Sequence, residues 1–470
     1  MYNFKVINIK SAMPINIVYS SFRDPSGFVF YRDNTLYRQI NNFYKEEYDH
    51  LMKSGLYKRL VDSNLMISHE ETDVECANPT DAYKIIKPEF IPFISYPYEW
   101  SFSQLKDAAL TTLEIQKIAL SFGMTLKDAS AYNIQFHKGR PLLIDTLSFE
   151  IYSEGKPWVA PYRQFCRHFL APLSLMKYVD VRLNRLSQIC IDGIPLDLAS
   201  SLLPLHTYFN STLFYHIHIN AKLPRLLADK PLNKEKQKMP RKELIALIDK
   251  LELTIKEMKW KLPDTEWGDY YEKTNYPLES FNNKKEIVLE FLKKLGPKTV
   301  LDIGANTGEF TRIASSLGVH TISIDSDFAA VEKNYIQCVK NKETNILPLI
   351  VDLTNPSPDI GWENKERTSF IERFYSDTAM ALALIHHLAI SNNLTFEKIV
   401  NFFSRICNSL IIEFIPKIDS KVQLILSRRE DIFTDYNEKE FEKNFKKYFD
   451  IIESKKIKNS ERILYLMKKK

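Results

Sequence analysis

Val300 to Gly318 reads VLDIGANTGEFTRIASSLG, an apolar run that breaks into Gly304-Ala305-Asn306-Thr307-Gly308 and then resumes as a helix-like pattern. Val300, Leu301 and Ile303 predict a strand buried on both faces. The glycines free the backbone to take dihedrals closed to other residues and to approach a ligand closely. The helix beyond them begins with unpaired N–H groups, which suit a polar or anionic group. Such a turn alone would also serve a dinucleotide-binding fold. Its surroundings narrow the reading.

The next apolar stretch, HTISID, ends in Asp325, where a carboxylate at the end of a second strand can take the two hydroxyls of a ribose. A third stretch, ILPLIVDL, carries Asp352 and Leu353 to the same edge. Short strands at Thr299–Ile303, Thr321–Ile324, Asn345–Val351, Met380–Ile385 and Ser409–Phe414 alternate with helical patterns, which predicts a parallel sheet covered on both faces. Asp325 and Asp352 could each merely cap a helix, but three such turns in order at consecutive strand ends describe one crevice.

This ordered set resembles the class I S-adenosylmethionine-dependent methyltransferases, whose fold is a Rossmann-like seven-stranded α/β domain. The resemblance covers about two hundred residues, roughly 263–470, and lacks the G-x-G-x-x-G spacing of nicotinamide-binding domains. It implies S-adenosylmethionine as cofactor, with Asp302, Gly304, Asn306 and Gly308 as the first motif. Asp325 would be the ribose acid, and Asp352 with Leu353 would stand beside the adenine. Similar enzymes fold an aromatic lead-in over the cofactor; here Tyr271 or Lys273 could play that part, or could anchor a loop. His386 and His387 follow the fourth strand at the rim where an acceptor would sit, and Glu413 follows the fifth. These three are the candidate catalytic residues, as orienting groups or as the base that takes the acceptor's proton.

Working upstream, DKPLNKEKQKMPRKE and a helix with Leu244, Ile248, Leu251, Ile255, Met258 and Leu262 in steps of four and three mark a boundary at about 229–262. Three heptads at most predict a helix lying on one of its neighbours rather than a dimerising coiled coil. Residues 1–228 form a mixed α+β region, with a hairpin across Asp33-Asn34, helices over Asn42–Leu60 and Ser103–Phe122, and a second hairpin of Ile134–His137 with Pro141–Asp145.

Between those last elements, LKDASAYNIQFHKGRPLLIDTLSFE places Asp128, Asn133 and Asp145 at the spacing of a catalytic loop and metal-binding strand. The segment resembles protein-kinase-like enzymes, a group that includes small-molecule phosphotransferases. The resemblance implies Asp128 as base, with Asn133 and Asp145 as ligands of a magnesium–ATP complex. The departures are plain: Leu126-Lys127 precedes the first acid, Thr146-Leu147 follows the last, the first hairpin has one glycine (Gly27), and only Arg38 stands where a phosphate-pairing lysine belongs. Alternatively, the three polar residues simply form turns. Two further features, the aromatic stretch Trp158–Met176 and the pair His216/His218, read as core and as a histidine pair without a third ligand.

Bulk properties bound the function. The 470 residues carry 44% apolar and 26% charged side chains and a net charge of +5, gathered at the C-terminal lysines and the Lys230–Lys242 stretch. There is no long basic stripe for nucleic acid. Five scattered cysteines suit free thiols in a reducing cytoplasm, and no run of about 18 apolar residues suggests a membrane span. No Asn/Asp-Pro-Pro-Tyr/Phe motif follows the fourth strand, which turns the expectation from DNA bases toward a small-molecule acceptor, such as a sugar or natural-product intermediate. Three roles are expected: a methyltransferase whose kinase-like half recognises the acceptor, a bifunctional enzyme that also phosphorylates, or a cofactor-binding partner module.

Overall fold

Residues 15–222, 239–263 and 278–470 are described by the computed structural model. In the first stretch, β1 (Asn16–Ile17), β2 (Gly27–Arg32), β3 (Thr35–Asn41), β4 (His69–Thr72) and β5 (Ala82–Pro88) make an antiparallel sheet in the order β1-β2-β3-β5-β4. Asp33 and Asn34 close the β2–β3 hairpin at φ 49° and 60°, the left-handed pair that a two-residue turn requires. The helix expected over Asn42–Leu60 is instead two, Lys45–Lys53 and Leu56–Asp62, after a short 3-10 turn at Asn42–Tyr44. Gly55 at φ 86° breaks it.

The long helix Phe102–Ser121 starts at a capping box between Ser101 and Gln104 and is buried along most of its length. After it, β6 (Met124–Leu126) pairs with β9 (Phe149–Ile151), and β7 (Ile134–His137) pairs with β8 (Arg140–Leu143). The strand expected to reach Asp145 ends at Leu143, so Asp145 stands in the turn beyond it. From the stretch Trp158–Met176, Trp158, Phe165, Phe169, Leu173 and Met176 are buried in the core, as read. His216 is hydrogen-bonded to Tyr162, and His218 to Ser200 and Thr207, so both are satisfied inside the fold.

Arg241–Glu257 is the expected seam helix. Leu244, Ile248, Leu251 and Ile255 are buried, while Met258 and Leu262 fall past its end. It lies along Phe102–Ser121, where Lys117 pairs with Asp249 and Glu252.

The last stretch holds β10 (Thr299–Ile303), β11 (His320–Asp325), β12 (Ile346–Ile350), β13 (Ser376–Ala381), β14 (Cys407–Phe414), β15 (Phe449–Lys456) and β16 (Ile463–Lys469). Their order is β12-β11-β10-β13-β14-β16-β15; the first five are parallel, and β16 runs antiparallel to both neighbours. This is the class I methyltransferase topology. The chain leaves β10 toward β11 and β12 and returns on the other side to β13, so the strand order reverses there and opens a crevice at the carboxyl edge. Two differences from the sequence reading stand out. The fourth strand is Ser376–Ala381, not Met380–Ile385, and β15 and β16 were not anticipated from the residues.

The two halves share buried contacts. Ser103 Oγ donates to Glu332 at 2.6 Å, Gln104 Nε2 to the Pro348 carbonyl at 3.0 Å, and Tyr335 to Asp107 at 2.7 Å. Arg373, from the segment between β12 and β13, is buried against the Glu99 carboxylate and lies over the Tyr96 ring at 4.0 Å. No described helix is long and apolar enough to cross a membrane, and the five cysteines are all free thiols.

Candidate active site

β10, β11, β12 and β13 end side by side, and the turns beyond them enclose a cavity of about 450 Å³. Gly304 takes φ 72° and Asn306 φ 53° in the first turn. The N–H groups of Gly304 and Ala305 donate to the Ile324 carbonyl, so the turn is tied to β11. Asn306 N–H then donates to Asp325 Oδ2 at 2.8 Å, and Asp327 N–H to Oδ1 at 2.9 Å. Asp325 is therefore held by the loop it faces. Burial raises its pKa, and those backbone donors oppose the rise. The capping alternative fails for this residue, because the next helix, Phe328–Asn341, is capped by Asp327.

Gly304, Asn306, Asp325, Asp352 and Leu353 all line the cavity. Asp352 accepts from the N–H and hydroxyl of Thr354 through one oxygen. Two motif residues act from behind the wall instead. Asp302 is buried, accepts from Thr311 Oγ1 at 2.6 Å, and so clamps the helix after the turn to β10; burial pushes its pKa up to about 7. Gly308 sits at φ 85°, and a Cβ there would come within 2.5 Å of Asn334 Oδ1. Both shape the turn without lining the cavity. Tyr271 and Lys273 lie outside the described residues.

His386 and His387 line the far end of the cavity, their rings 4.1 Å apart. His386 is 2% exposed, and its Nδ1 has no hydrogen-bond partner among the described residues. Burial, then the neighbouring His387, Arg462 and Lys284, hold its pKa well below the usual imidazole range. The lowered pKa favours the neutral imidazole at the cavity wall.

Glu413 corrects the sequence reading. It is fully buried and does not line the cavity. Lys284 donates to it at 2.7 Å, Ala383 N–H at 2.7 Å, and Arg462 stands at 3.5 Å. Burial alone would raise its pKa, but Lys284 and Arg462 bring it below the ordinary carboxylate value. Ala383 has φ 51°, a strained conformation for a residue with a Cβ. Glu413 pins that residue and hence the start of the 382–387 loop. It holds the loop that leads to the histidines and does not reach the cavity.

Lys284 and Arg462 went unnoticed in the sequence. Lys284 had a signal: it shares the buried stripe of Leu278–Leu295 with Ile287, Val288 and Phe291, where a charge needs a partner.

In the first half, Asp128, Asn133 and Asp145 do come together, lining a larger cavity of about 680 Å³. Asp145 is already engaged. Its Oδ1 pairs with Arg38 at 2.7 Å and accepts from Leu147 N–H, and its Oδ2 accepts from Ser148 Oγ. Asn133 spends an amide N–H on Ser148, and Asp128 accepts from Ser130 N–H. Burial raises the Asp128 pKa, and Asp145 adds to the rise. No cluster of three or more His, Cys, Asp or Glu suited to a metal ion occurs among the described residues. The donor set does not fit magnesium, because a guanidinium already holds the carboxylate that would bind it.

The chain is 33% identical over 456 residues to nodulation protein NoeA of Rhizobium meliloti (strain 1021), covering 95% of each. The chain belongs to the NoeA family. No family model matches it. Among solved structures, the bifunctional kinase-methyltransferase WbdD aligns at 14% identity over 44% of this chain and 43% of its own, with a TM-score of 0.31. The chain thus spans less than half of the WbdD chain it matches. The N-methyltransferase NodS from Bradyrhizobium japonicum WM9 aligns at 12% identity over 40% of this chain and 96% of its own, TM-score 0.29. Magnesium protoporphyrin IX methyltransferase from Synechocystis PCC 6803 with bound SAH aligns at 14% identity over 41% and 84%, TM-score 0.30. For this member of the NoeA family, the fold assignment rests on its own strand order and crevice.

Proposed function

We propose that this NoeA-family protein is an S-adenosylmethionine-dependent methyltransferase of the cytoplasm, acting on a small-molecule acceptor, with its N-terminal half as a recognition module. The observation that carries the reading is the crevice in which Asp325 is bonded to the backbone of the Gly304–Asn306 turn while Asp352 and Leu353 line the neighbouring wall.

The residues present fit the cofactor. The Asp325 carboxylate suits the ribose hydroxyls, Asp352 and Leu353 the adenine, and the backbone at Gly304 and Asn306 the methionine end. S-Adenosylmethionine supplies a methyl group already activated by its sulfonium, so the protein's task is alignment and proton removal. His386, at the cavity wall, takes the proton of an acceptor hydroxyl or amine, and the loop pinned by Glu413 holds the imidazole in place. Such a base contributes about 10²–10⁴-fold.

Calorimetric titration with S-adenosylmethionine and S-adenosylhomocysteine tests the reading. Micromolar binding, worth roughly 8 kcal/mol, is expected, and Asp325→Ala should weaken it clearly. If neither ligand binds the wild-type chain, the proposal fails.

A further inference from the structure

The larger cavity lies between the N-terminal sheet, the turns at Asp128–Asn133 and Asp145, and residues 366–367 of the C-terminal half. Its lining divides in two. One end is aliphatic, with Val29, Leu36 and Ile86 from the sheet and Ile67 and Ile144 from the turns below. The other end is polar, and four of its carboxylates are taken by cations while donors remain. Asp145 is paired with Arg38, Glu366 with Arg23, Asp24 with Lys127, and Glu89 with His137 and Lys138.

Against these, Arg38, Arg167 and Arg367 each keep a buried Nε–H with no acceptor among the described residues, as does the Tyr132 hydroxyl. Arg367 also stacks its guanidinium 4.3 Å from the Tyr132 ring. A buried donor left unsatisfied is costly. Four of them in one cavity, from separate segments, ask for a group rich in acceptor oxygens.

We propose that this cavity binds a nucleoside phosphate without a divalent metal ion, its ring in the aliphatic end and its phosphate against Arg38, Arg167 and Arg367. The Arg38 guanidinium does there what a metal ion would otherwise do, neutralising the phosphate from the position it holds on Asp145. The site binds and does not transfer phosphate, because Arg38, Leu147 and Ser148 already occupy Asp145, the carboxylate that would hold magnesium in line. The inference is independent of which acceptor is methylated.

The test titrates the full chain with ADP, once in magnesium chloride and once in EDTA, with S-adenosylmethionine titrated in parallel. ADP should bind in EDTA, with an affinity within about threefold of that in magnesium, a difference under ~1 kcal/mol. Arg38→Ala and Arg167→Ala should each weaken ADP about tenfold or more while leaving S-adenosylmethionine binding unchanged, which shows that the variants are folded. No ADP binding, binding that requires magnesium, or transfer of phosphate from ATP would each overturn the proposal. None of these outcomes bears on the methyltransferase crevice, whose own titration is read separately.

Discussion

Replacing Lys284 by methionine strips Glu413 of its closest cation and should unfold the C-terminal half first. Glu413 is fully buried, and Lys284 is 6% exposed, so water cannot take over from the ammonium. At 2.7 Å and an effective dielectric of about 20, the pair attracts by roughly 6 kcal/mol. Desolvation cancels much of that in the intact protein, which is why such pairs add little net stability. Truncating one side removes the attraction and leaves the cost. What remains for the carboxylate is the Ala383 N–H and Arg462 at 3.5 Å, the latter already committed to Asp419 at 2.7 Å. The loss should be roughly 3–5 kcal/mol, read as a lowered denaturant midpoint for the transition that releases the C-terminal core. The double variant Lys284→Met, Glu413→Leu should recover most of it, because both desolvation costs go together. A single variant within about 1 kcal/mol of wild type, or a double variant no better than the single, would refute the reasoning.

His386→Ala should lower kcat by about 10²–10⁴-fold and leave S-adenosylmethionine affinity nearly unchanged, as measured by turnover and calorimetry on the same samples. Because burial depresses the His386 pKa, the imidazole stays neutral in the folded chain well below the unfolded value near 6.5. Above about pH 6.5 both states are neutral and the group leaves stability unchanged; as pH falls below it only the unfolded chain takes the proton, so stability drops until the folded value is passed. A pH–rate profile that instead falls between about pH 8 and 7 would exclude His386 as the base. Gly308→Ala forces a Cβ to within 2.5 Å of Asn334 Oδ1 at φ 85°, and should cost about 1–3 kcal/mol in thermal unfolding together with a loss of cofactor affinity. A Gly308→Ala chain as stable as wild type would show that the turn can give.

The first glycine turn, Asp325 and Asp352 were legible because the chemistry sits where a strand ends, and buried β-strands announce themselves by unbroken apolar runs. The end of such a run is harder to place. Met380–Ile385 is apolar throughout, yet the strand stops at Ala381 and the rest turns through Ala383 at φ 51° into the histidine loop. β15 lies at the sheet's edge and carries Asp450, Glu453, Lys455 and Lys456, so its pattern is that of a charged surface segment, whereas β16 is a short apolar run, Leu464–Met467, buried between β14 and β15. Glu413 was misplaced for a related reason: both faces of a parallel sheet are covered, so a strand-end position does not say whether a side chain meets the crevice or the layer beneath. In the first half, residue spacing brought Asp128, Asn133 and Asp145 together correctly. That Arg38 would close on Asp145 needed the fold, since the two are far apart in sequence and meet only when β3 is laid over the turn after β8.

The segment between β12 and β13 joins the two sites in a way neither half shows alone. Its first residues, Asp352 and Leu353, line the methyltransferase crevice, and Glu366 and Arg367, farther along it, line the N-terminal cavity. Between and beyond them the segment is fastened to the N-terminal half. Ser357 donates to Glu99 at 2.9 Å, Arg23 holds Glu366 through two nitrogens, Thr368 N–H donates to Tyr96, and Arg373 is buried on Glu99. A charge as buried as Arg373 is tolerated only with its partner in place, so the segment's course depends on the N-terminal half being folded beneath it. The segment that carries Asp352 is therefore braced from outside its own half, although the crevice lining itself is all C-terminal. The N-terminal half is thus a structural support of the methyltransferase half, and Arg367 and Asp352 stand on the same fastened segment.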